Sequence, residues 1–181
     1  MSLRVITAPA AEPVSVATAK SHLRIDLSDE DTLLESYIKA AREQAELLTR
    51  QAFITQTLEQ TFKGWPSDYV LRLWRPPLQS VISVKYYDSD NTEATWTDYS
   101  VDTNSEPGAI HFNSFPAVTL SESGGVVVRF AAGYGADGTS VPERFKQLIL
   151  QLIGHWYENR ESMAVPKEIR EALKAERVVW F

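Results

Sequence analysis

The stretch that decides the fold is Pro142-Glu-Arg-Phe-Lys-Gln-Leu-Ile-Leu-Gln-Leu-Ile-Gly-His-Trp156. Its apolar residues recur every three to four positions, so they form a continuous stripe on one face of a helix. The stripe consists of Phe145, Leu148, Ile149, Leu152, Ile153 and Trp156. Pro142 suits the first turn, where a missing amide hydrogen costs nothing. A second helix is predicted from Pro166 to about Arg177, with Ile169 and Leu173 facing inward.

The first fifty residues also predict helices. Val16, Ala19 and Leu23 have helical spacing behind Ser15, a residue type that caps helices. Ser28 is a second predicted cap, because Asp31 follows it at the position of a capping-box acid. A long amphipathic helix should follow and end near Arg50, with one apolar face formed by Leu34, Tyr37, Ile38, Ala41, Ala45 and Leu48.

The middle of the chain predicts β-strands instead of helices. Short runs rich in alternating, β-branched or aromatic residues lie between turn residues, at 54–62, 69–74, 81–87, 96–101, 109–112 and 126–132. Pro107-Gly108 suits a type II turn. The predicted fold is α+β. Residues 1–52 and 141–181 form one helical bundle core, and residues 53–140 form an inserted antiparallel β-sheet or small sandwich.

Composition limits the possible function. The chain has 181 residues, no cysteine and a net charge of −6, which excludes disulfides and thiolate metal sites. Residues 65–140 carry 4 basic and 9 acidic groups, a balance that argues against tight DNA binding. The sequence contains no apolar run of membrane-spanning length and no pattern of a signal peptide, so we expect folding in a cytoplasm.

Two patterns could indicate chemistry, and neither makes a strong case. Gly133-Tyr-Gly135-Ala-Asp-Gly138 is formally GxGxxG, but three residues and a proline separate it from the next helix. His155, Glu158 and Glu161 could share one side of a helix, but a metal site needs a second group of ligands elsewhere. We therefore predict no catalytic residues, no metal and no cofactor, and we predict that the chain is not an enzyme.

Two segments are candidate interfaces. Gly154 lies in the middle of the predicted helix, where glycine costs about 1 kcal/mol, and this favours close approach of another backbone. Aromatic residues and arginine, which are enriched at interfaces, follow it, and the candidates here are Trp156, Tyr157, Asn159 and Arg160. Both aromatic residues could equally belong to the core. The second segment is the apolar end of the chain, Val178, Val179, Trp180 and Phe181, which either completes the core or docks on a neighbour.

Four segments resemble the siphophage head–tail connector family, also called adaptor or head-completion proteins and often described as possibly involved in DNA packaging. They are Ala19-Lys-Ser-His-Leu-Arg-Ile-Asp26, Arg75-Pro-Pro-Leu-Gln-Ser-Val81, Ala132-Gly-Tyr-Gly135 and Gly154-His-Trp-Tyr-Glu-Asn-Arg-Glu161. The last segment is the most specific of the four. The helices resemble the helical core of the family, and the strand-rich middle resembles the insertion of its longer members.

The resemblance implies a structural virion protein that assembles in the host cytoplasm and ends at the head–tail joint. Such proteins bind under the portal as a ring, dodecameric in the family, after DNA packaging. The ring extends the DNA channel and is the platform for a tail or stopper protein. The acidic middle would then suit a channel wall or outer rim that DNA passes without specific binding. The alternatives are a DNA-packaging or DNA-binding accessory protein and a nucleotide-binding enzyme that uses Gly133–Gly138.

Overall fold

The computed structural model describes residues 2–122 and 125–179. These residues form two compact units. A helical unit comprises residues 9–54 and 134–179, and a β unit comprises residues 2–8 and 55–133. The predicted β insertion, residues 53–140, begins two residues before the observed segment 55–133 and ends seven residues after it.

The helical unit contains four helices, α1 (Val16–Leu23), α2 (Asp31–Thr49), α3 (Glu143–Glu158) and α4 (Lys167–Ala175). The predicted apolar face of α3 is buried, with Leu148 partly so, and Ile169 and Leu173 of α4 are buried as predicted. Aromatic contacts complete this core. The Phe53 and Phe145 rings stack with centroids 4.7 Å apart, and Tyr37 meets Trp156 edge-on at 6.3 Å.

One predicted helix cap is confirmed and the other is wrong. The Ser15 side chain accepts a hydrogen bond of 3.1 Å from the Thr18 amide at the start of α1. Ser28 does not cap α2, which begins at Asp31 directly after Glu30, without a side-chain cap. The backbone around Ser28 turns before the helix begins, because the Asp31 amide donates to the Ser28 carbonyl oxygen at 3.1 Å.

A buried polar network lies on the inner side of α2. Arg42, which is 4% exposed, donates to Glu12 at 2.7 Å and to Glu46 at 3.0 Å. The other oxygen of Glu46 accepts from the Phe53 amide at 2.8 Å. Each buried charge therefore has an opposite charge beside it, as buried ions require. The network joins the segment before α1, the helix α2 and the segment after it.

The β unit contains two antiparallel sheets, so the predicted α+β class is confirmed. The five-stranded sheet has the order β1-β2-β8-β4-β5 and the three-stranded sheet has the order β3-β7-β6. The strands are β1 (Ser2–Thr7), β2 (Gln56–Phe62), β3 (Val70–Arg72), β4 (Leu78–Tyr87), β5 (Glu93–Trp96), β6 (Tyr99–Asp102), β7 (Ala109–Phe112) and β8 (Val126–Ala132). Trp65 contacts rings from both sheets, Tyr86 at 5.8 Å and Phe112 at 5.3 Å between centroids.

Two assignments in the β unit differ from expectation. Residues 2–7, which we had assigned to the helical core, form the edge strand β1. The predicted strand 96–101 is two strands in different sheets, because the chain turns a corner at Thr97-Asp98. The Asp98 carboxylate stabilises that corner by accepting hydrogen bonds from the side-chain Nδ2 of Asn113 at 2.9 Å and from the hydroxyl of Ser114.

The turn at Pro107-Gly108 is not the predicted type II turn. The Glu106–Pro107 peptide is cis, and Gly108 does not have the left-handed φ that a type II turn requires. Gly108 is needed for space instead, because a Cβ there would lie 2.4 Å from Cβ of Leu78.

Candidate connector surfaces

The start of α2 and the end of α3 are tied together by one carboxylate. Glu30 accepts from the guanidinium of Arg160 at 2.6 Å and, through its other oxygen, from the hydroxyl of Tyr157. The Arg160 guanidinium also lies 4.8 Å from the centre of the Tyr157 ring. The hydrogen bond from Tyr157, followed by that from Arg160, holds the pKa of Glu30 below its ordinary value. The carboxylate is therefore charged at neutral pH and keeps the two loops together.

The predicted interface residues around Glu30 divide into core and surface. Trp156 is 2% exposed and its indole N–H donates to the Ala164 carbonyl oxygen at 3.1 Å, so it belongs to the core. Asn159 and Arg160 are exposed, and Tyr157 is partly exposed. Asn159 ends α3 by donating from its side chain to the His155 carbonyl oxygen at 2.9 Å.

Gly154 faces α1 at an ordinary distance. A Cβ at this position would lie 3.6 Å from Nε2 of His22 and 3.7 Å from Cδ2 of Leu23. These neighbours are side-chain atoms and the distances are normal van der Waals contacts, so packing inside this chain does not require glycine here. A requirement for glycine would have to come from a partner.

Two exposed apolar residues at this end of the helical unit were not among the predicted interface residues. Leu27, in the loop before α2, is 70% exposed, and Met163, in the loop after α3, is 50% exposed. The sequence feature that could have indicated an exposed Leu27 is its position as a lone leucine among polar residues, in Asp26-Leu-Ser-Asp29. Tyr157 lies in the last turn of α3, and Asn159 and Arg160 follow it in the loop that carries Met163. We call this set, Leu27, Tyr157, Asn159, Arg160 and Met163, the α2-start surface.

The C-terminal segment begins at the other end of α2. The Val178 amide donates to the Thr49 carbonyl oxygen at 3.1 Å, and the Gln51 side chain donates to the Glu176 carbonyl oxygen at 2.7 Å. Arg144 pairs with the Glu176 carboxylate at 3.0 Å. Val179 is 57% exposed. The remaining two predicted interface residues, Trp180 and Phe181, lie outside the described residues.

The two candidate segments do not form one surface. Glu30 contacts Tyr157 and Arg160 at the first residues of α2, and Val178 contacts Thr49 at its last. With a rise of 1.5 Å per residue, the 19 residues of α2 separate them by about 27 Å. The helical unit therefore presents two distinct surfaces at opposite ends of its longest helix.

The glycine-rich motif has a packing role. A Cβ at Gly138 would lie 2.4 Å from the Pro13 carbonyl oxygen, and a Cβ at Gly135 would lie 2.2 Å from Oγ of Ser140. Gly133 has a φ of 134°, in the region that favours glycine. In residues 2–122 and 125–179, no three His, Asp or Glu side chains form a group that could hold a metal, and this covers His155, Glu158 and Glu161. No α-helix in the same ranges is both long and apolar enough to span a bilayer.

Comparison with known proteins gives a family and a set of similar structures. The model of the family described as "Phage gp6-like head-tail connector protein" matches residues 13–106 and 117–176. No curated protein sequence matches the chain.

The similar structures share the fold along the full length of the chain. A chain of the virion of the native gene transfer agent (GTA) particle is 24% identical, with a TM-score of 0.83 over 100% of this chain and 97% of that chain. A chain from the neck of the empty GTA particle, computed with C6 symmetry, gives the same identity, coverage and TM-score. One from the neck of the native particle, computed with C12 symmetry, is 23% identical with a TM-score of 0.80, at the same coverage of both chains.

Proposed function

The chain belongs to the phage gp6-like head–tail connector family, and from that premise we propose that it forms a ring at the head–tail joint. Its role is structural, as a connector in a virion. We further propose that the ring binds under the portal after DNA packaging, extends the DNA channel and carries the tail or a stopper protein. The work of such a protein is binding alone, so we propose no catalytic activity and no cofactor.

The symmetry of the similar particles supports a ring. Chains with this fold come from necks computed with C12 and C6 symmetry. In a cyclic ring every copy meets two neighbours through two different patches, so the interface is heterologous and closes by rotation. We propose twelve copies, assembled in the host cytoplasm onto a filled head.

The observation that carries the proposal is the separation of two surfaces by one stiff helix. A connector has to bind one partner on its head side and another on its tail side. The α2-start surface and the C-terminal segment lie about 27 Å apart along α2, far enough for two partners to bind at once. We assign the C-terminal segment, Val178 to Phe181, to the portal or the adjacent copy, and the α2-start surface to the tail or stopper protein.

DNA should pass this ring without specific binding. The net charge of the chain is −6, whereas tight binding of duplex DNA requires a basic surface that neutralises phosphates. A DNA-packaging accessory protein, the alternative function, would instead act before the head is full.

Electron microscopy of lysates from a phage or prophage that lacks this gene tests the function. We expect finished tails separate from heads that were filled and then lost DNA. Normal infectious particles would contradict the connector role. Heads that never fill would favour the DNA-packaging alternative.

Two complementing variants test the two surfaces. Leu27→Glu with Met163→Glu should give a folded protein that joins the head but not the tail, because both side chains are exposed. A chain truncated after Val178 keeps the hydrogen bond to Thr49, so it should fold and fail at the portal or in the ring. Glu168→Lys with Glu171→Lys, on the exposed side of α4, is the control and should complement fully. Full complementation by the truncated chain would remove the C-terminal segment from the proposal.

A further inference from the structure

Charge is unevenly distributed along the β unit. Residues 86–128 contain no lysine or arginine and seven acidic residues, Asp88, Asp90, Glu93, Asp98, Asp102, Glu106 and Glu122. The part of the unit before residue 86 contains five cations, Arg4, Lys63, Arg72, Arg75 and Lys85, and two acids, Glu59 and Asp68. The chain therefore places acids and bases in different strands.

The order of the strands places the acids and the bases at opposite edges of the two sheets. In the five-stranded sheet β5 is the edge opposite β1, and in the three-stranded sheet β6 is the edge opposite β3. Five of the acids lie on β5, β6 or the turns that flank them. We call Asp90, Glu93, Asp98, Asp102 and Glu106 the acidic edge. Arg4 lies on β1, Arg72 lies on β3, and Lys63 follows β2 beside the start of β1. We call these three residues the basic edge.

Both edges are accessible, and their charges are not fully neutralised within the chain. Arg4 shares the buried carboxylate of Glu59 with Arg129, so that group keeps one net positive charge. Arg72 pairs with the exposed Asp68, at 3.6 Å. On the acidic edge, Glu93 meets Lys85 at 2.5 Å, and the side chains of Asp90 and Glu106 are exposed.

The edges also combine open backbone with exposed apolar side chains. Val5 on β1 is 55% exposed and Ile6 is 39% exposed, and Val101 on β6 is 38% exposed. An edge strand presents unpaired N–H and C=O groups that can bond to another strand. Like charges keep two identical edges apart, so each edge should accept only the opposite one.

We propose that the acidic edge of the β unit docks on the basic edge of a second copy of this chain. The inference rests on the proposed ring, and it identifies a contact between neighbouring copies. A head-to-tail contact between unlike patches is the heterologous interface that a closed ring requires. From charge alone, we expected the acidic middle of the chain to line a channel wall or outer rim. The basic edge leads us to revise that expectation, because it offers these acids a partner on the neighbouring copy.

Charge changes on each edge separately test the contact. Asp90→Lys with Glu106→Lys changes the charge of the acidic edge from −5 to −1, and Lys63→Glu with Arg72→Glu changes that of the basic edge from +3 to −1. All four side chains are exposed, so each double variant should fold. The matched control is Glu168→Lys with Glu171→Lys in the helical unit, which changes the net charge as much as the first variant does. Sedimentation velocity at high protein concentration, in low and in high salt, measures association.

We expect the wild type and the control to self-associate in low salt and to dissociate in high salt, since screening shortens the reach of exposed charges to about 10 Å at 0.1 M. Each double variant alone should associate much more weakly than the wild type, because it keeps only one intact edge. An equimolar mixture of the two should associate again, because the intact basic edge of the first variant can meet the intact acidic edge of the second.

Three results would overturn the proposal. They are a monomeric wild type in low salt, a double variant that associates as the wild type does, and a mixture that stays monomeric. The last result would mean that the edges face a different partner. Electron microscopy of the complemented lysates distinguishes failure of the edge contact from failure of the connector role. If the chain is needed for joining and both double variants restore joining, the edge contact is wrong and the connector role stands.

Discussion

Replacing Gly154 with alanine should stabilise the helical unit. Glycine in the middle of a helix costs about 1 kcal/mol relative to alanine, mainly through the entropy of the unfolded chain. The added Cβ would lie 3.6 Å from Nε2 of His22, 3.7 Å from Cδ2 of Leu23 and 3.8 Å from Cδ2 of His22, so nothing has to move. The gain should therefore be close to the full propensity difference, about 0.5–1 kcal/mol. In a chain of this size each kcal/mol raises the melting temperature by about 2–4 °C.

Circular dichroism at 222 nm during urea unfolding measures this change, since all four α-helices of the described residues lie in the helical unit. Gly138→Ala is the matched control. Its Cβ would lie 2.4 Å from the Pro13 carbonyl oxygen, and a backbone atom cannot move away cheaply. Overpacking of this kind costs about 1–3 kcal/mol. A destabilised Gly154→Ala variant would refute the reasoning from packing. A stabilised variant that fails to join heads to tails would show that a partner approaches Gly154.

Two further predictions concern buried charges. Arg42→Ala removes the guanidinium that pairs with the buried Glu46 carboxylate, so the free energy of unfolding should fall by about 3–5 kcal/mol in the same urea assay, and an unchanged midpoint would contradict a stabilising role for this ion pair. For Glu59, burial raises the pKa, but the hydrogen bonds from Arg129 and Arg4 outweigh it and hold the pKa below the ordinary value of about 4.3. The charged form is favoured in the folded state, so its stabilisation is present at neutral pH and is lost as the pH falls below about 4.3. Hydrogen exchange of the β2 amides should show a difference between the wild type and Glu59→Gln at pH 7 that shrinks in acid, and a difference independent of pH would contradict it.

The helices and strands that could be predicted are those whose own residues show a regular apolar pattern. The stripe from Phe145 to Trp156 has helical period over its whole length, and β8 matches the predicted strand 126–132 at both ends. In both cases one face of the element is buried along its length, so the pattern of apolar residues records the structure directly.

Elements specified by distant partners could not be predicted. The strand β1 is exposed at five of its six positions, and it exists because Arg4 and its neighbours pair with β2, more than fifty residues away. The corner at Thr97-Asp98 depends on Asn113 and Ser114 in the same way. The link from Glu30 to Arg160 joins residues 130 positions apart. A single sequence gives no period or spacing from which such pairs can be read.

Variants of the α2-start surface have to be interpreted according to whether the replaced residue also supports the fold. Leu27 and Met163 are exposed and support little inside the chain, so their replacement should affect joining without affecting stability. Glu30 holds the loops that carry those side chains, so its replacement should weaken both folding and joining. A loss of joining is therefore evidence for direct contact only where the stability of the helical unit is unchanged. By that criterion Arg160, which is exposed and also bound to Glu30, needs both measurements before it can be assigned to the interface.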